Sequence, residues 1–383
     1  MIPSFILFLI SFVPLLFPRL FIESFLGFQR DVDVFETGVW TIPLVIANAS
    51  FLLLVGLHKF NKLPSYKITS FFYNFDVPKN FSYIILGVLI LIFILFSMDE
   101  LSIEEHELGD YAPVKSFVFD ITEVEFNSGT LRYLHLYVSL LIFDNLRIIP
   151  FFMSIGLLLV VYLLSSELSN KRLAGLVSTF VLLQSNLFLL FDTTSAYNNA
   201  WVLFYFLSLY LMFKKSVFSH ISYAYSLFLK PLTGLYFPIN IYLILQGDLS
   251  KRQKKILLIS YAVIALLVVF LIFNDFLPNF KNIIFNENKF IIGFTEFSNN
   301  FRFDGLILLL FFPTMIILSL KNGPIRKKIE FIFFAISIVL ISQPLLNSLV
   351  EITIQPYRFI PMIVFFAISV GLIFSNSKSH VQE

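Results

Sequence analysis

KKSVFSHISYAYSLFLKPLTGLYFPINIYLILQGDLSKRQKK, residues 214–255, is one apolar run held between two basic clusters, Lys214/Lys215 and Lys251/Arg252/Lys254/Lys255. Crossing a bilayer once, such a run would put the clusters on opposite sides, whereas Lys and Arg of short loops collect on the cytoplasmic face. The chain therefore has to turn back inside the run. Lys230-Pro231, Gly234 and Pro238 mark the place, because a proline in a helix interior removes a hydrogen bond and collides with the preceding turn. The sequence predicts two short helices within 219–246, joined at a tip near Lys230 that points toward the opposite face.

Outward from this run, apolar segments recur at 3–26, 38–58, 81–98, 148–167, 173–190, 198–213, 256–273, 305–320, 329–346 and 357–374. With the run folded back, the other basic loops (Lys59/Lys62/Lys67/Lys79, Lys171/Arg172 and Arg326/Lys327/Lys328) also fall on the cytoplasmic side. The result is about twelve passes with both termini cytoplasmic, roughly two-thirds of Lys and Arg inside and about four-fifths of Asp and Glu outside. A chain of 383 residues that is 58% hydrophobic and only 14% charged fits that pattern. The fold class it predicts is an all-α polytopic membrane helix bundle of about 11–13 spanning helices. Cysteine is absent, which excludes disulfides, thiolate metal sites and cysteine nucleophiles. The run Ile2–Phe17 lacks a basic flank and a small-residue cleavage motif, so it reads as a retained first helix. Basic residues sit where topology puts them, and no nucleic-acid partner is implied.

The long loop 99–147 is extracytoplasmic in this topology and holds most of the candidate chemistry. Asp99 and Glu100 follow the run Ile84–Met98 without a spacer. Their carboxylates belong at the membrane–water boundary, where partial desolvation raises basicity and a hydroxyl nucleophile can be deprotonated. On a helix, Glu100, Glu104 and Glu107 would share one face, as either a solvated stripe or a place for a cation. His106, Asp110 and His135 are candidates for an acceptor or loop site. Leu131–Asn145 reads as an amphipathic interfacial helix, with Arg132, His135 and Ser139 on one narrow stripe and Leu131, Leu134, Val138 and Leu141 mostly opposite; Arg132 and His135 would either meet a lipid headgroup or be ordinary interfacial polar groups. Lys230 interrupts an apolar run, and an ionisable group in a membrane segment is a functional candidate by default. Arg358, at the start of the last apolar segment, could meet a phosphate or anchor at the interface. Asp31-Val32-Asp33 is a short pattern that chance also produces. No phosphate loop, HExxH or nucleophile elbow occurs.

Several pieces occur in an order that resembles the GT-C class of integral-membrane glycosyltransferases, such as protein O-mannosyltransferases. They are Met98-Asp99-Glu100 opening the long loop, Leu146-Arg147-Ile148-Ile149-Pro150 entering the next helix and the stretch Tyr162–Gly175. Leu229-Lys230-Pro231-Leu232-Thr233-Gly234 and Tyr357-Arg358-Phe359-Ile360-Pro361 follow. The likeness covers about residues 81–376, leaving 1–80 as an added helix pair and 377–383 as a cytoplasmic tail. It implies a sugar donor on a polyprenyl phosphate and a catalytic role for Asp99, with Glu100 as neighbour or substitute.

The expectation from residues and resemblance together is transfer of a sugar from polyprenyl phosphate to a hydroxyl of a protein, glycan or lipid acceptor. The enzyme would sit in a prokaryotic plasma membrane with its active site outside. Asp99 would be the general base, and Lys230, Arg358 and Arg132 would hold the donor phosphate. No cofactor is required, a divalent metal being optional. A transporter or flippase of lipid-linked or small anionic substrates is the rival reading, since broken helices also serve transport.

Overall fold

The computed structural model describes residues 1–17, 19–20, 37–59, 75–103, 105, 110–121, 128–273, 284–350 and 355–375. Among these the fold is all helical. In chain order the helices are α1 (Ile2–Leu16), α2 (Thr41–Lys59), α3 (Lys79–Ser97), α4 (Tyr111–Phe119), α5 (Ser128–Phe143), α6 (Ile148–Ser169), α7 (Arg172–Leu183) and α8 (Asn186–Leu190). They continue as α9 (Ala200–Phe213), α10 (Ser219–Leu229), α11 (Phe237–Gln246), α12 (Lys251–Phe273), α13 (Glu287–Asn299), α14 (Gly305–Ser319), α15 (Arg326–Val350) and α16 (Ile360–Ile373). Short 3-10 turns cover Asp99–Ser102, Pro231–Tyr236, Asn300–Phe303 and Pro356–Phe359.

Among the described residues five stretches are long and apolar enough to cross a bilayer: Lys79–Ser102, Ile148–Ser169, Lys251–Phe270, Arg326–Val350 and Pro356–Ile373. A sixth arises if the pair Glu287–Phe303 and Gly305–Ser319, bent by 105°, counts as one broken span. The chain is thus an integral-membrane helix bundle. Packing divides it into two units, one of residues 1–83, 165–186 and 284–383, the other of 84–164 and 187–283.

In the first unit α16 is apolar and buried almost throughout, as a helix hydrophobic on all sides must be. It packs against α7, α14 and α15. Its approach to α7 depends on Gly371: an added Cβ would lie 2.2 Å from Ser178 Oγ, 2.5 Å from Ala174 O and 2.6 Å from Ser165 Oγ. Small residues let membrane helices come this close. Phenylalanines carry α1 into the same unit, Phe8 meeting Phe311 at 5.3 Å and Phe333 at 5.5 Å between ring centroids. Lysines close helix ends. Lys328 Nζ donates to Leu168 O at 2.7 Å, and Lys321 Nζ to Leu372 O at 3.1 Å and Ser375 O at 2.8 Å, cations at helix C-termini being favourable. The bend before α14 is fixed by buried Asp304, which accepts from Ser185 Oγ at 2.8 Å and Asn186 N at 2.7 Å.

In the second unit α9 and α10 form an antiparallel hairpin, with Ser226 Oγ donating to Trp201 O at 2.6 Å and Ser222 Oγ to Phe204 O at 2.7 Å. The helix stops at Lys230, whose φ of −149° is extended. After the 3-10 turn, α11 runs back, bringing Asn240 Nδ2 to 3.5 Å from Ser208 Oγ. Contacts thus climb α9 from Phe204 to Trp201 and return to Ser208. This is the reversal that charge and proline placed near Lys230.

Candidate acid–arginine site

Arg147 stands in the short turn between α5 and α6. Asp144 enters that turn in the left-handed region, φ 52°, which an Asp tolerates better than most residues. Asn145 shapes the rest: its Oδ1 accepts from Arg147 N at 2.8 Å, and its Nδ2 donates to Leu101 O at 2.7 Å. Ser139 Oγ donates to Asn145 O at 2.6 Å and accepts from Ile149 N at 3.0 Å. These bonds leave the guanidinium buried and aimed at two segments remote in sequence, 100–105 and 192–195.

Nearly every face of the guanidinium is used. Its Nη1 donates to Ile103 O at 2.6 Å and its Nε to Thr193 O at 3.3 Å. Nη2 reaches Glu100 Oε2 at 3.3 Å and the Thr193 hydroxyl. Glu105 Oε1 lies 3.6 Å from Nε. Thr193 Oγ1 in turn donates to Glu100 Oε2 at 2.8 Å. Ser195 holds Glu105 through its backbone N–H at 2.6 Å and its hydroxyl at 3.1 Å. Burial pushes the Glu105 carboxyl up, against the pull of Ser195 and Arg147.

Asp192 completes the cluster. It is 1% exposed and accepts from Ser97 Oγ at 2.6 Å on Oδ2, while Oδ1 has no hydrogen-bond partner among the described residues. Burial pushes its carboxyl up to about 7, the nearby charge of Glu100 adding to the effect and Ser97 and Arg147 opposing it. Two carboxylates, Glu100 and Glu105, therefore flank one guanidinium, and Asp192 lies near enough to feel its charge. Of these, Glu100 is reachable from outside, its side chain 43% exposed; Asp99, on the same 3-10 turn, is exposed. The arrangement can fix the end of α3 in space and present an accessible carboxylate beside a buried acid that titrates near neutrality.

No protein-family model, curated protein or solved structure matches this chain.

The other candidates take varied positions. Lys230 is half-buried at the break between α10 and the following turn. Arg358, in the first unit, is 7% exposed and donates from Nε to the hydroxyl of Tyr357 at 3.3 Å; among the described residues no carboxylate pairs with it. Asp110 is exposed and accepts from Tyr197 OH at 2.7 Å. Arg132 is half-buried, its guanidinium 4.9 Å from the Tyr133 ring centroid. His106, Glu104, Glu107, Asp31 and Asp33 lie outside the described residues.

One expectation is reversed. The helix around His135 exists, but its polar stripe faces inward: His135 and Ser139 are buried while Leu134 and Leu141 are exposed. Beside lipid the apolar side is the stable outer face, so an amphipathic helix here turns its polar groups to the protein. Burial pushes the His135 imidazole down to about 4, which leaves it neutral at pH 7 and unsuited to binding an anionic headgroup. Among the described residues no group of three or more His, Asp or Glu is placed to hold a metal ion.

Arg147 was read only as the close of the long loop and as part of the piece Leu146–Pro150, with no role of its own, and Asp192, Thr193 and Ser195 were not singled out. The available signal was the hydroxyl-rich stretch Asp192–Asn199 between apolar segments, too polar for a tight turn with no task.

Proposed function

We propose that this chain is a membrane glycosyltransferase that moves a sugar from a polyprenyl-phosphate donor to an acceptor hydroxyl on the extracytoplasmic side. The observation that carries the reading is the clamp of Glu100 on Arg147 and Thr193. It fixes the turn Asp99–Ser102 at the end of a spanning helix and leaves Asp99 exposed on it. In this reading Asp99 accepts the acceptor's hydroxyl proton as the oxygen attacks the anomeric carbon. The bond from that carbon to the phosphate oxygen breaks, and its electron pair stays on the departing polyprenyl phosphate. Lys230 offers charge to that phosphate, with Arg132 as a further cation. The buried guanidinium of Arg358, which has no carboxylate partner among the described residues, is a second candidate for an anionic group, judged within its own unit. The topology that goes with the proposal has about twelve passes, cytoplasmic termini and the basic loops inside.

The test uses purified chain in nanodiscs with radiolabelled polyprenyl-phosphate sugars and an acceptor extract. Label should move to a new product, and Asp99→Asn should lower turnover by roughly two orders of magnitude, as loss of a general base does. Near-normal transfer by that variant removes Asp99 from the mechanism. The broken helix at Lys230 and the bend at Asp304 favour transport as a second reading. Label that crosses a vesicle membrane while still on its carrier would select it.

A further inference from the structure

Along one face of α9 the second unit buries polar groups that protein alone does not satisfy. Trp201, Tyr205 and Ser208 lie at i, i+4 and i+7 and are 0–3% exposed. Among the described residues Trp201 Nε1 and Tyr205 OH have no hydrogen-bond partner, and neither does Asn240 Oδ1 across from Ser208. Such atoms are rare in folded proteins and rarer still in a membrane-embedded bundle.

Tyr236 bridges Trp201 and Tyr205, its ring centroid 6.5 Å from that of Trp201 and 5.1 Å from that of Tyr205. Tyr205 lies 6.4 Å from Tyr223, and Tyr223 lies 5.1 Å from Tyr261. Tyr261 OH accepts from Asn240 Nδ2 at 2.6 Å. From Trp201 to Ser208 the rise is about 10 Å at helical spacing.

Toward the basic-loop end the polar row stops. Gln253 Nε2 donates to Lys215 O at 2.8 Å, so one turn further in Met212 of α9 and Leu257 of α12 share a level, and both are buried. Leu243 and Ile244 of α11 are buried as well. The row is blind at this end.

We propose that this face of α9 binds a row of water molecules reaching from Trp201 to Asn240 and ending at the apolar plug. The unmet groups are a lone donor, Trp201 Nε1, a lone acceptor, Asn240 Oδ1, and a hydroxyl that is both. A ligand serving all of them must donate and accept at each step, which water does. The row carries no formal charge, which argues for a neutral ligand over an ion. The inference stands independently of sugar transfer.

Radiolytic hydroxyl-radical footprinting of the full chain in nanodiscs tests it, because X-ray pulses generate radicals from water bound inside a protein. Trp201 and Tyr205 should be oxidised despite their burial, while Met212, equally buried and intrinsically more reactive, is spared. Trp201 and Tyr205 spared alongside Met212 would overturn the proposal. Tyr205→Phe supplies a second reading. If the hydroxyl binds water, its removal lowers the melting temperature and changes Trp201 oxidation several-fold. If the hydroxyl is dry, the variant is as stable as the parent or more so, and the row does not exist.

Discussion

Arg147 and Arg358 are buried to the same degree, 9% and 7% exposed, but their surroundings differ. Arg147 has Glu100, Glu105, two carbonyls and a hydroxyl around it, whereas Arg358 has the hydroxyl of its neighbour Tyr357. A guanidinium matched on all sides ties segments together and has little left for a ligand. One with a single neutral partner among the described residues, like Arg358, retains most of its donors there, and burial makes an arriving anion valuable to it.

The largest test of that contrast is Arg147→Ala. It strands Glu105 and loosens both 100–105 and 192–195, and should cost about 3–5 kcal/mol, the usual penalty for breaking a buried pair from one side. Thermal unfolding in detergent measures it; a loss no larger than that of a surface arginine would mean the clamp holds nothing. Next comes pH. The Asp192 carboxyl titrates at about 7 in the fold against 3.8 when free, so the folded state holds the proton more tightly. Stability from this group is full below the free value and is lost as pH rises through about 7, by up to roughly 4 kcal/mol. Comparing melting temperature against pH for the parent and Asp192→Asn checks this, the variant being flatter between those limits.

Glu100→Gln should be milder, about 1 kcal/mol, because that carboxylate is partly solvated and Thr193 and Arg147 can still donate to an amide oxygen. Smallest of all is Arg358→Met. Removing a buried charge that has no carboxylate partner among the described residues should leave stability within about 1 kcal/mol or raise it, while abolishing any stabilisation by a short-chain polyprenyl phosphate. Should Arg358→Met unfold the protein as Arg147→Ala does, the two arginines are alike and the contrast fails.

The features most readable from sequence were those that a bilayer enforces. Two basic clusters around one apolar run, with Pro231 and Pro238 inside it, required a reversal, and the α10–α11 break is where they required it. Helix α13 was missed because Glu287, Lys289 and Glu296 interrupt its apolar face, although Asn286, which accepts from Lys289 N at 3.1 Å, is an ordinary N-cap signal. Asp192 was invisible for another reason. Its behaviour comes from burial beside Ser97 and Glu100, residues about ninety positions away, and periodicity carries no information about such a meeting. The stripe of Arg132, His135 and Ser139 was correctly seen as one face, but pattern alone does not say whether a polar face turns to water or to protein.

The fit at Gly371 bears on how the first unit is made. Its central post, α16, follows α7, α14 and α15 in the chain, so those helices emerge from the ribosome before the surface they pack against exists. Until Ile360–Ile373 slides in beside Ser165 and Ser178, with no space to spare for even one methyl group, these three helices lack the partner they share. A nascent chain halted before this helix would be a natural target for membrane proteases.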